Sequence, residues 1–174
     1  LITFAIGRLP AVLQPYQISP DTINAVVAVS ALVMPDILAR CQAVQGFITS
    51  TEGESFIVTL KRIKNILAKA ADSDFLAIDT QLFEKEVEQQ LHKKLQTIES
   101  NTQKALNEKN YTIVLNEASN IKTATDAFFD QVMVNSDIAE VRKNRLSLLR
   151  KIKQLFEQVA DFSLIQNEKV KSSS

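Results

Sequence analysis

The sequence predicts an all-α fold, an antiparallel bundle of helices, on the basis of its composition and its hydrophobic spacing. The 174 residues include only three Gly and four Pro, and all four Pro lie within the first 35 positions. So few helix-breaking residues favour long helices with short connections. Apolar residues recur at steps of three and four, and no segment shows the sustained alternation that is typical of a strand.

The first 50 residues are predicted to be a helical segment, the tail of a preceding domain. Ser-Pro-Asp at residues 19–21 is typical of a helix start, with an N-cap, a proline at the first helical position and an acid in the first turn. We expect a short helix to follow as far as Ser30 and another to begin at Pro35. Because the chain starts with Leu1 and not with Met, we expect it to be a piece of a longer protein.

A helical bundle is predicted to span residues 51–165. Thr51 and Glu54 have the spacing of a capping box, and the helix they begin should end near residue 71. After a connection, a long helix should run over about residues 81–109, since its apolar positions form one stripe while the rest is Glu, Gln and Lys.

The second half of the bundle is predicted to contain a bend and a final helix. We expect the bend near residue 122, with Thr123 capping the segment after it. Asn-Ser-Asp at residues 135–137 should cap the last helix, which should reach about Asp161. Residues 166–174 are predicted to be a flexible tail.

The first helix of the bundle has two contrasting faces. The apolar side consists of Phe56, Leu60, Ile63, Ile66, Leu67 and Ala70. The opposite side, within an arc of about 100°, carries Lys61, Arg62, Asn65 and Lys69, with Lys64 at its edge. Cations contact phosphates, and an amide can bond a base edge or a sugar hydroxyl. The face therefore indicates either a nucleic-acid surface or simply a solvated helix.

The last helix repeats this pattern with "RKNR" at residues 142–145, where Arg142 and Lys143 should face outward with Asn144 beside them. Arg145 falls on the apolar stripe, four residues after Val141, so its guanidinium needs a partner. Asp126 and Asp130 are the candidates for a buried ion pair. The alternative is that Arg145 meets a phosphate or a base in a recess.

Two adjacent Phe in "DAFFDQVMV", residues 126–134, cannot lie on one narrow stripe, because neighbouring helical residues point about 100° apart. The segment is therefore predicted to be buried on a broad face, or Phe129 serves something other than its own helix.

The sequence indicates no active site, and we predict no catalytic residue and no metal ligand. His92 is the only His and stands on a polar helix, so a solvated surface position is expected, and Cys41 is expected to be a small buried hydrophobe. No apolar run is long enough to span a membrane. A single Cys and no recognisable signal peptide favour the cytoplasm.

Four segments in order resemble one protein family. They are "KRIKNILAK" at 61–69, "DAFFDQVMVNSD" at 126–137, "RKNRLSLLRKIKQLF" at 142–156 and "VADFSLIQ" at 159–166. Together they are similar to the C-terminal end of the bacterial glycyl-tRNA synthetase beta subunit, and the resemblance covers nearly the whole chain. The family often has Pro near position 123, where this chain has Thr123, and the first 18 residues match loosely.

The resemblance implies a helical anticodon-binding domain of the DALR type, as in class I synthetases, that binds the anticodon arm of a tRNA accepting glycine. It also implies an alpha-subunit partner that carries the catalytic groups, with ATP and Mg²⁺ bound outside this part of the enzyme. In such a domain Phe128 would pack into its own bundle and Phe129 would fill space beneath a neighbouring helix, the alternative being stacking of Phe129 on an anticodon base. The following turn would hold Val134 and Asn135 near the RNA-facing side. The tRNA-binding set predicted from the matching motif positions is Lys61, Arg62, Lys64, Asn65, Arg142, Asn144 and Arg145. The alternative function is a helical protein–protein docking module without RNA binding.

Overall fold

The computed structural model describes residues 2–166, with side chains from residue 7 onward, so most of the predicted tail lies outside the described residues. The helices are α1 (Ile2–Leu13), α2 (Pro20–Val27), α3 (Met34–Ile48), α4 (Thr51–Leu67), α5 (Glu86–Asn107), α6 (Tyr111–Asn116), α7 (Ala118–Gln131) and α8 (Ala139–Glu157). Single 3₁₀ turns lie at Gln14–Tyr16, Asp72–Asp74, Thr80–Leu82 and Phe162–Leu164. No strand occurs in the described part of the chain, and the predicted all-α fold is confirmed.

The core lies between the long helices, where α5 packs against α7, and α4 packs against both α7 and α8. At its centre the rings of Phe56 on α4 and Phe156 on α8 are 4.7 Å apart between centroids, in an edge-to-face arrangement. Phe128 of α7 is fully buried in the same core. Burying each such ring contributes roughly 1.5–3 kcal/mol.

The helices before residue 51 also contribute to this core. α3 packs against α4 and α6, and α2 packs against the turn Phe162–Leu164. The backbone N–H of Asp161 donates to the carbonyl of Ala25 at 2.8 Å. The domain boundary predicted between residues 50 and 51 coincides with the junction of α3 and α4 and stays a prediction.

The start of α4 differs by one residue from the predicted capping box. The N-cap is Ser50, whose Oγ accepts the backbone N–H of Gly53 at 3.0 Å, while Thr51 is the first helical residue. A serine at this position satisfies one of the free N–H groups of the first turn. The helix also ends earlier than predicted, at Leu67.

The long helix α5 starts at Glu86 and not at residue 81, because residues 80–82 form a 3₁₀ turn and the N–H groups of Glu84 and Lys85 bond the Glu88 carboxylate. The connection before this turn is bonded to α8. The backbone N–H of Leu76 donates to Ser147 Oγ at 3.1 Å, and the N–H of Asp79 donates to Asn144 Oδ1 at 2.8 Å. These long-range bonds satisfy backbone groups of a segment without regular structure.

The break between α6 and α7 lies at Glu117, five residues before the predicted bend. The prediction that Thr123 caps a helix is wrong, since it lies inside α7 and its hydroxyl donates to the carbonyl of Ser119. The last helix begins at Ala139, and Ser136 Oγ accepts the N–H of Ile138 at 3.2 Å just before it.

A buried polar cluster joins α3 to α6 and to the end of α8. Asp36 accepts from the Tyr111 hydroxyl at 2.5 Å and from Arg40 Nε at 2.8 Å. Arg40 also donates to the carbonyl of Val159 at 3.0 Å. Burial opposes ionisation of Asp36, but the bonds from Tyr111 and Arg40 outweigh it and lower the pKa of the carboxyl. Burial and the bond to Asp36 raise the pKa of Tyr111 to about 12.

Replacing Asp36 with Asn should lower the free energy of unfolding near neutral pH by about 1.5–3 kcal/mol, because two hydrogen bonds lose their charged acceptor. A carboxyl with a lowered pKa stabilises the fold above the ordinary pKa, about 3.9, and loses this contribution as the pH falls further. The gap between wild type and variant, measured by urea unfolding, should therefore close below about pH 4. The raised pKa of Tyr111 acts oppositely, stabilising below about pH 10.

The matched control is Asp126→Asn, which affects a partly exposed pair with Lys122 in the preceding turn of α7. It should change stability by no more than about 0.5 kcal/mol. A difference between wild type and D36N that stays constant from pH 7 down to pH 3 would contradict the proposed role of the charge.

Candidate nucleic-acid interface

The exposed face of α4 carries most of the side chains that the sequence assigned to it. Lys61, Arg62 and Asn65, with Lys69 in the turn just after α4, line a wide surface recess together with the apolar side chains of Val58 and Ile66. Arg62, Asn65 and Lys69 are exposed, and Lys61 is half-buried. The buried side of α4, with Phe56, Leu60, Ile63 and Leu67, points into the core as predicted.

A second recess, with a volume of about 370 Å³, adjoins the first. α4 contributes Ile66, and the connection after α4 contributes Lys69, Ala70 and Asp74. The loop between α7 and α8 contributes Val134 and Asn135, and α8 contributes Arg142 and Leu146. Because Ile66 and Lys69 line both recesses, the two recesses are adjacent. We call them together the basic groove and define its cationic and amide members as Lys61, Arg62, Asn65, Lys69, Asn135 and Arg142.

The basic groove has a mixed chemistry. Its cations come from α4, the turn after α4 and α8, and its apolar lining consists of Val58, Ile66, Ala70, Val134 and Leu146. Cations attract phosphates, and apolar side chains accommodate the faces of unpaired bases. Asp74 is the one acidic residue among the side chains that line the two recesses.

The Phe pair of α7 is divided between the core and the groove. Phe128 is fully buried, while Phe129 is half-buried beneath α4, as predicted. The guanidinium carbon of Arg62 lies 3.9 Å from the centroid of the Phe129 ring, within the range of a cation–π contact. This places the guanidinium of Arg62 over a face of the ring that the alternative prediction assigned to an RNA base.

Arg142 is the only residue of the predicted "RKNR" set that the structure places in the basic groove. It is half-buried, and its Nη1 lies 3.5 Å from the carbonyl of Ser136 in the loop before α8. Its neighbour Lys143 bonds the carbonyl of Ser73 at 3.2 Å. The helix α8 therefore adds one cation to the groove.

Arg145 is 4% exposed, which corrects its assignment to the RNA-facing set. Its Nε donates to Glu88 Oε1 at 2.8 Å, its Nη2 donates to Glu84 Oε2 at 2.7 Å, and its Nη1 donates to the carbonyl of Met133 at 3.0 Å. Burial by itself would lower the pKa of Arg145, but Glu88 and Glu84 outweigh it and raise the pKa. The predicted buried ion pair is confirmed, and the predicted partners Asp126 and Asp130 are wrong.

Asn144 is also buried, at 3% exposure, and its assignment to the RNA-facing set is corrected for the same reason. Its amide accepts the N–H of Asp79 and donates to the carbonyl of the same residue, both at 2.8 Å. Both hydrogen-bonding ends of the side chain are thus used to hold the connection between α4 and α5 against α8.

Lys64 lies apart from the basic groove, which corrects its predicted place on that surface. Its Nζ donates to Ser163 Oγ and lies 3.7 Å from Asp161 Oδ2. The side chain therefore ties α4 to the turn Phe162–Leu164. Its position at the edge of the basic arc, seen in the sequence, already separated it from Arg62 and Asn65.

Sequence reasoning left two groove residues out of the predicted set. Lys69 was on the basic arc of α4, two turns after Arg62, so helical spacing alone could have included it. Asn135 belongs to an irregular loop, whose side-chain directions no periodicity predicts.

The described residues contain no group of three or more His, Cys, Asp and Glu side chains arranged to hold a metal ion. His92 is half-buried and packs edge-to-face on Phe83 at 5.8 Å between ring centroids, so its predicted solvated position is wrong. Cys41 is fully buried, as predicted, and burial raises the pKa of its thiol to about 11. No helix in the described part of the chain has the length and apolar character that crossing a membrane requires.

Comparison with known proteins confirms the resemblance. The matching family model is described as "DALR anticodon binding domain" and covers residues 57–165. The chain is 37% identical over 168 residues to the glycine–tRNA ligase beta subunit of Pseudoalteromonas atlantica, covering 97% of this chain and 24% of the relative. The corresponding subunits of Erwinia tasmaniensis and Vibrio cholerae are 37% and 36% identical over 166 residues, covering 95% of this chain and 24% of each relative. The chain thus spans about a quarter of the length of these relatives.

Proposed function

The chain belongs to the DALR anticodon binding domain family, and on that premise we propose that it binds the anticodon arm of a tRNA that accepts glycine. In this proposal it is the tRNA-recognition part of a glycyl-tRNA synthetase beta subunit and supports the ATP-dependent glycylation of tRNA. Its relatives with 35–37% identity are named as that subunit.

The observation that carries the proposal is the basic groove. Lys61 and Arg62 of α4, Lys69 in the turn just after α4 and Arg142 of α8 line these two adjacent recesses. Phosphate contacts by such cations position an RNA, and amides such as those of Asn65 and Asn135 can bond base edges. Single-stranded loops are the usual targets of sequence-specific RNA recognition, because their bases can be splayed out against the protein.

We place the chemistry of glycylation elsewhere in the enzyme. The basic groove is lined mainly by cations, amides and apolar side chains, which suit binding. The hydrogen-bonded pair of Tyr111 and Asp36 is buried inside the fold and joins α6 to α3. We therefore assign this part of the chain a binding role. In the proposal, ATP and Mg²⁺ bind to other parts of the enzyme, no cofactor binds to residues 2–166, and the alpha subunit is the partner that completes the active site. The whole assembly is assigned to the cytoplasm.

Changing Lys61 or Lys69 to Ala should weaken the binding of a glycine-accepting tRNA and make it less dependent on salt. Removing one cation from a phosphate should reduce the slope of log K against log salt by about 0.7–0.9. The measurement is a titration of the 174-residue chain with this tRNA at several salt concentrations, with a non-cognate tRNA in parallel. The cognate tRNA should bind more tightly than the non-cognate one.

The matched control is Lys93→Ala, since Lys93 is an exposed cation of α5 that lines neither recess. It should leave both affinity and slope unchanged. Equal affinity for every tRNA would reduce the interaction to nonspecific charge attraction. If no tRNA binds at low salt, the groove has another use, and the helical protein–protein docking module becomes the favoured function.

A further inference from the structure

Arg62 is held differently from the other cations of the basic groove. Its guanidinium carbon lies 3.9 Å from the centroid of the Phe129 ring, which is van der Waals contact. The Phe129 ring in turn packs edge-to-face against the fully buried Phe128, with ring centroids 5.8 Å apart and an interplanar angle of 63°. The planar end of Arg62 therefore has a rigid support, whereas an unsupported surface side chain would be mobile.

We propose that Arg62, supported by Phe129, is a stacking platform for one unpaired base of the bound RNA. This inference rests on the proposed function and assigns a specific role to one residue of the groove. One side of the guanidinium is against Phe129, and Arg62 is nevertheless an exposed residue, so another side is open to solvent. Arginine planes and aromatic rings are the two surfaces on which proteins stack unpaired RNA bases.

A guanidinium that is held in a fixed plane is better suited to stacking on a base than to contacting a phosphate. A phosphate is attracted by charge alone, which Lys61 and Lys69 provide in the same recess. Stacking needs a fixed plane, and the ordering of that plane on Phe129 removes part of the entropy cost of binding. Asn65 lies three residues further on, so it is a neighbour of Arg62 on the helix surface. Its exposed amide lines the same recess and can both donate to and accept from the edge of the stacked base.

The variant that separates the two roles is Arg62→Lys, which keeps the charge and removes the plane. If Arg62 stacks on a base, R62K should weaken binding of the anticodon stem–loop by roughly 5- to 150-fold. The slope of log K against log salt should stay as in the wild type, because the number of cations is unchanged. Phe129→Leu should weaken binding in the same direction, since the guanidinium loses its support.

The control is Arg142→Lys, the same chemical change at a groove arginine for which no aromatic contact is found among residues 7–166. It should change the affinity by less than about threefold, within the range that one weak hydrogen bond contributes. Circular dichroism and urea unfolding should establish that each variant is folded. R62K changes an exposed side chain, so it tests the proposal even if F129L does not fold.

The position of the stacked base can be found with stem–loops that each lack one base of the anticodon loop. For one such RNA the wild-type chain should lose affinity and R62K should lose little more, since the two changes remove the same interaction. The platform proposal would be overturned if R62K bound the stem–loop as tightly as the wild type. It would also be overturned if, at every loop position, the loss of affinity from removing the base simply added to the loss from R62K. The proposed function would stand in that case, provided that K61A still weakens binding. A wild-type chain that binds no stem–loop at low salt would overturn both.

Discussion

Replacing Glu88 with Ala should lower the free energy of unfolding by about 3–5 kcal/mol, because it leaves a buried guanidinium without its main counter-ion. The side chains of Glu88 and Arg145 are 0% and 5% exposed, and their ionised groups are 2.8 Å apart. Glu88 Oε2 also accepts the backbone N–H groups of Glu84 and Lys85 at 2.9 and 2.8 Å, just before α5 begins. The variant therefore also leaves two N–H groups of the helix start without an acceptor. Urea unfolding measures the loss.

The control for this prediction is Glu84→Ala, since Glu84 bonds the same guanidinium but its side chain is 47% exposed. Water can replace a partner at such a position, so the expected loss is below about 1 kcal/mol. A double variant, Glu88→Leu with Arg145→Met, should lose less than E88A alone, because it removes the stranded charge together with its partner. Equal losses of unfolding free energy for E88A and E84A would contradict the conclusion that Glu88 is the main counter-ion of Arg145.

The ion pair also supports the wall of the basic groove. Arg145 Nη1 donates to the carbonyl of Met133 at 3.0 Å, in the loop that carries Asn135. Within this irregular loop, the N–H of Ser136 donates to the carbonyl of Val134 at 3.0 Å, and the N–H of Ile138 donates to Ser136 Oγ at 3.2 Å. The guanidinium adds a tie from the loop to α5 and α8, and this connects a buried charge to the shape of a surface site.

Helical register predicted much of this arrangement and failed where the partner of a residue comes from a distant segment. The basic face of α4, the burial of Phe128 and the need of Arg145 for a counter-ion all followed from spacing within one helix. The identity of that counter-ion did not follow from spacing, because Glu88 lies 57 positions away in the sequence and on another helix. Periodicity shows which side of a helix is buried, but it does not show which helix covers that side.

Two of the missed buried polar residues nevertheless left a signal in the sequence. Glu88 is three residues before Leu91 and seven before Leu95, so it lies on the buried stripe of α5. Asn144 is four residues before Leu148 in α8. A polar residue in register with core positions is a candidate for a buried contact. Such residues are weaker candidates for an RNA-binding surface than the chemistry of their side chains alone suggests.

Replacing Gly53 with Ala should lower the free energy of unfolding by about 3 kcal/mol, the upper end of what overpacking usually costs. A Cβ at this position would lie 1.9 Å from the carbonyl oxygen of Phe47 and 2.6 Å from its carbonyl carbon. These are backbone atoms at the end of α3, so the clash cannot be relieved by turning a side chain. The end of α3 and the start of α4 would have to move apart, which would also disturb the Ser50 cap bonded to both.

The same substitution at Gly46 provides the control, because no heavy atom lies within 4 Å of a Cβ built there. Gly46 is inside α3, where Ala is the better helix former, so G46A should raise the free energy of unfolding by about 0.5–1 kcal/mol. If G53A lowers the free energy of unfolding and G46A raises it, the close approach of α3 to α4 fixes the direction in which α4 leaves the turn.

That approach sets the direction of the helix that carries Lys61 and Arg62, so G53A should also weaken tRNA binding, whereas G46A should not. A G53A chain as stable as the wild type would mean that the junction is loose and that the orientation of the basic face is set by core packing alone.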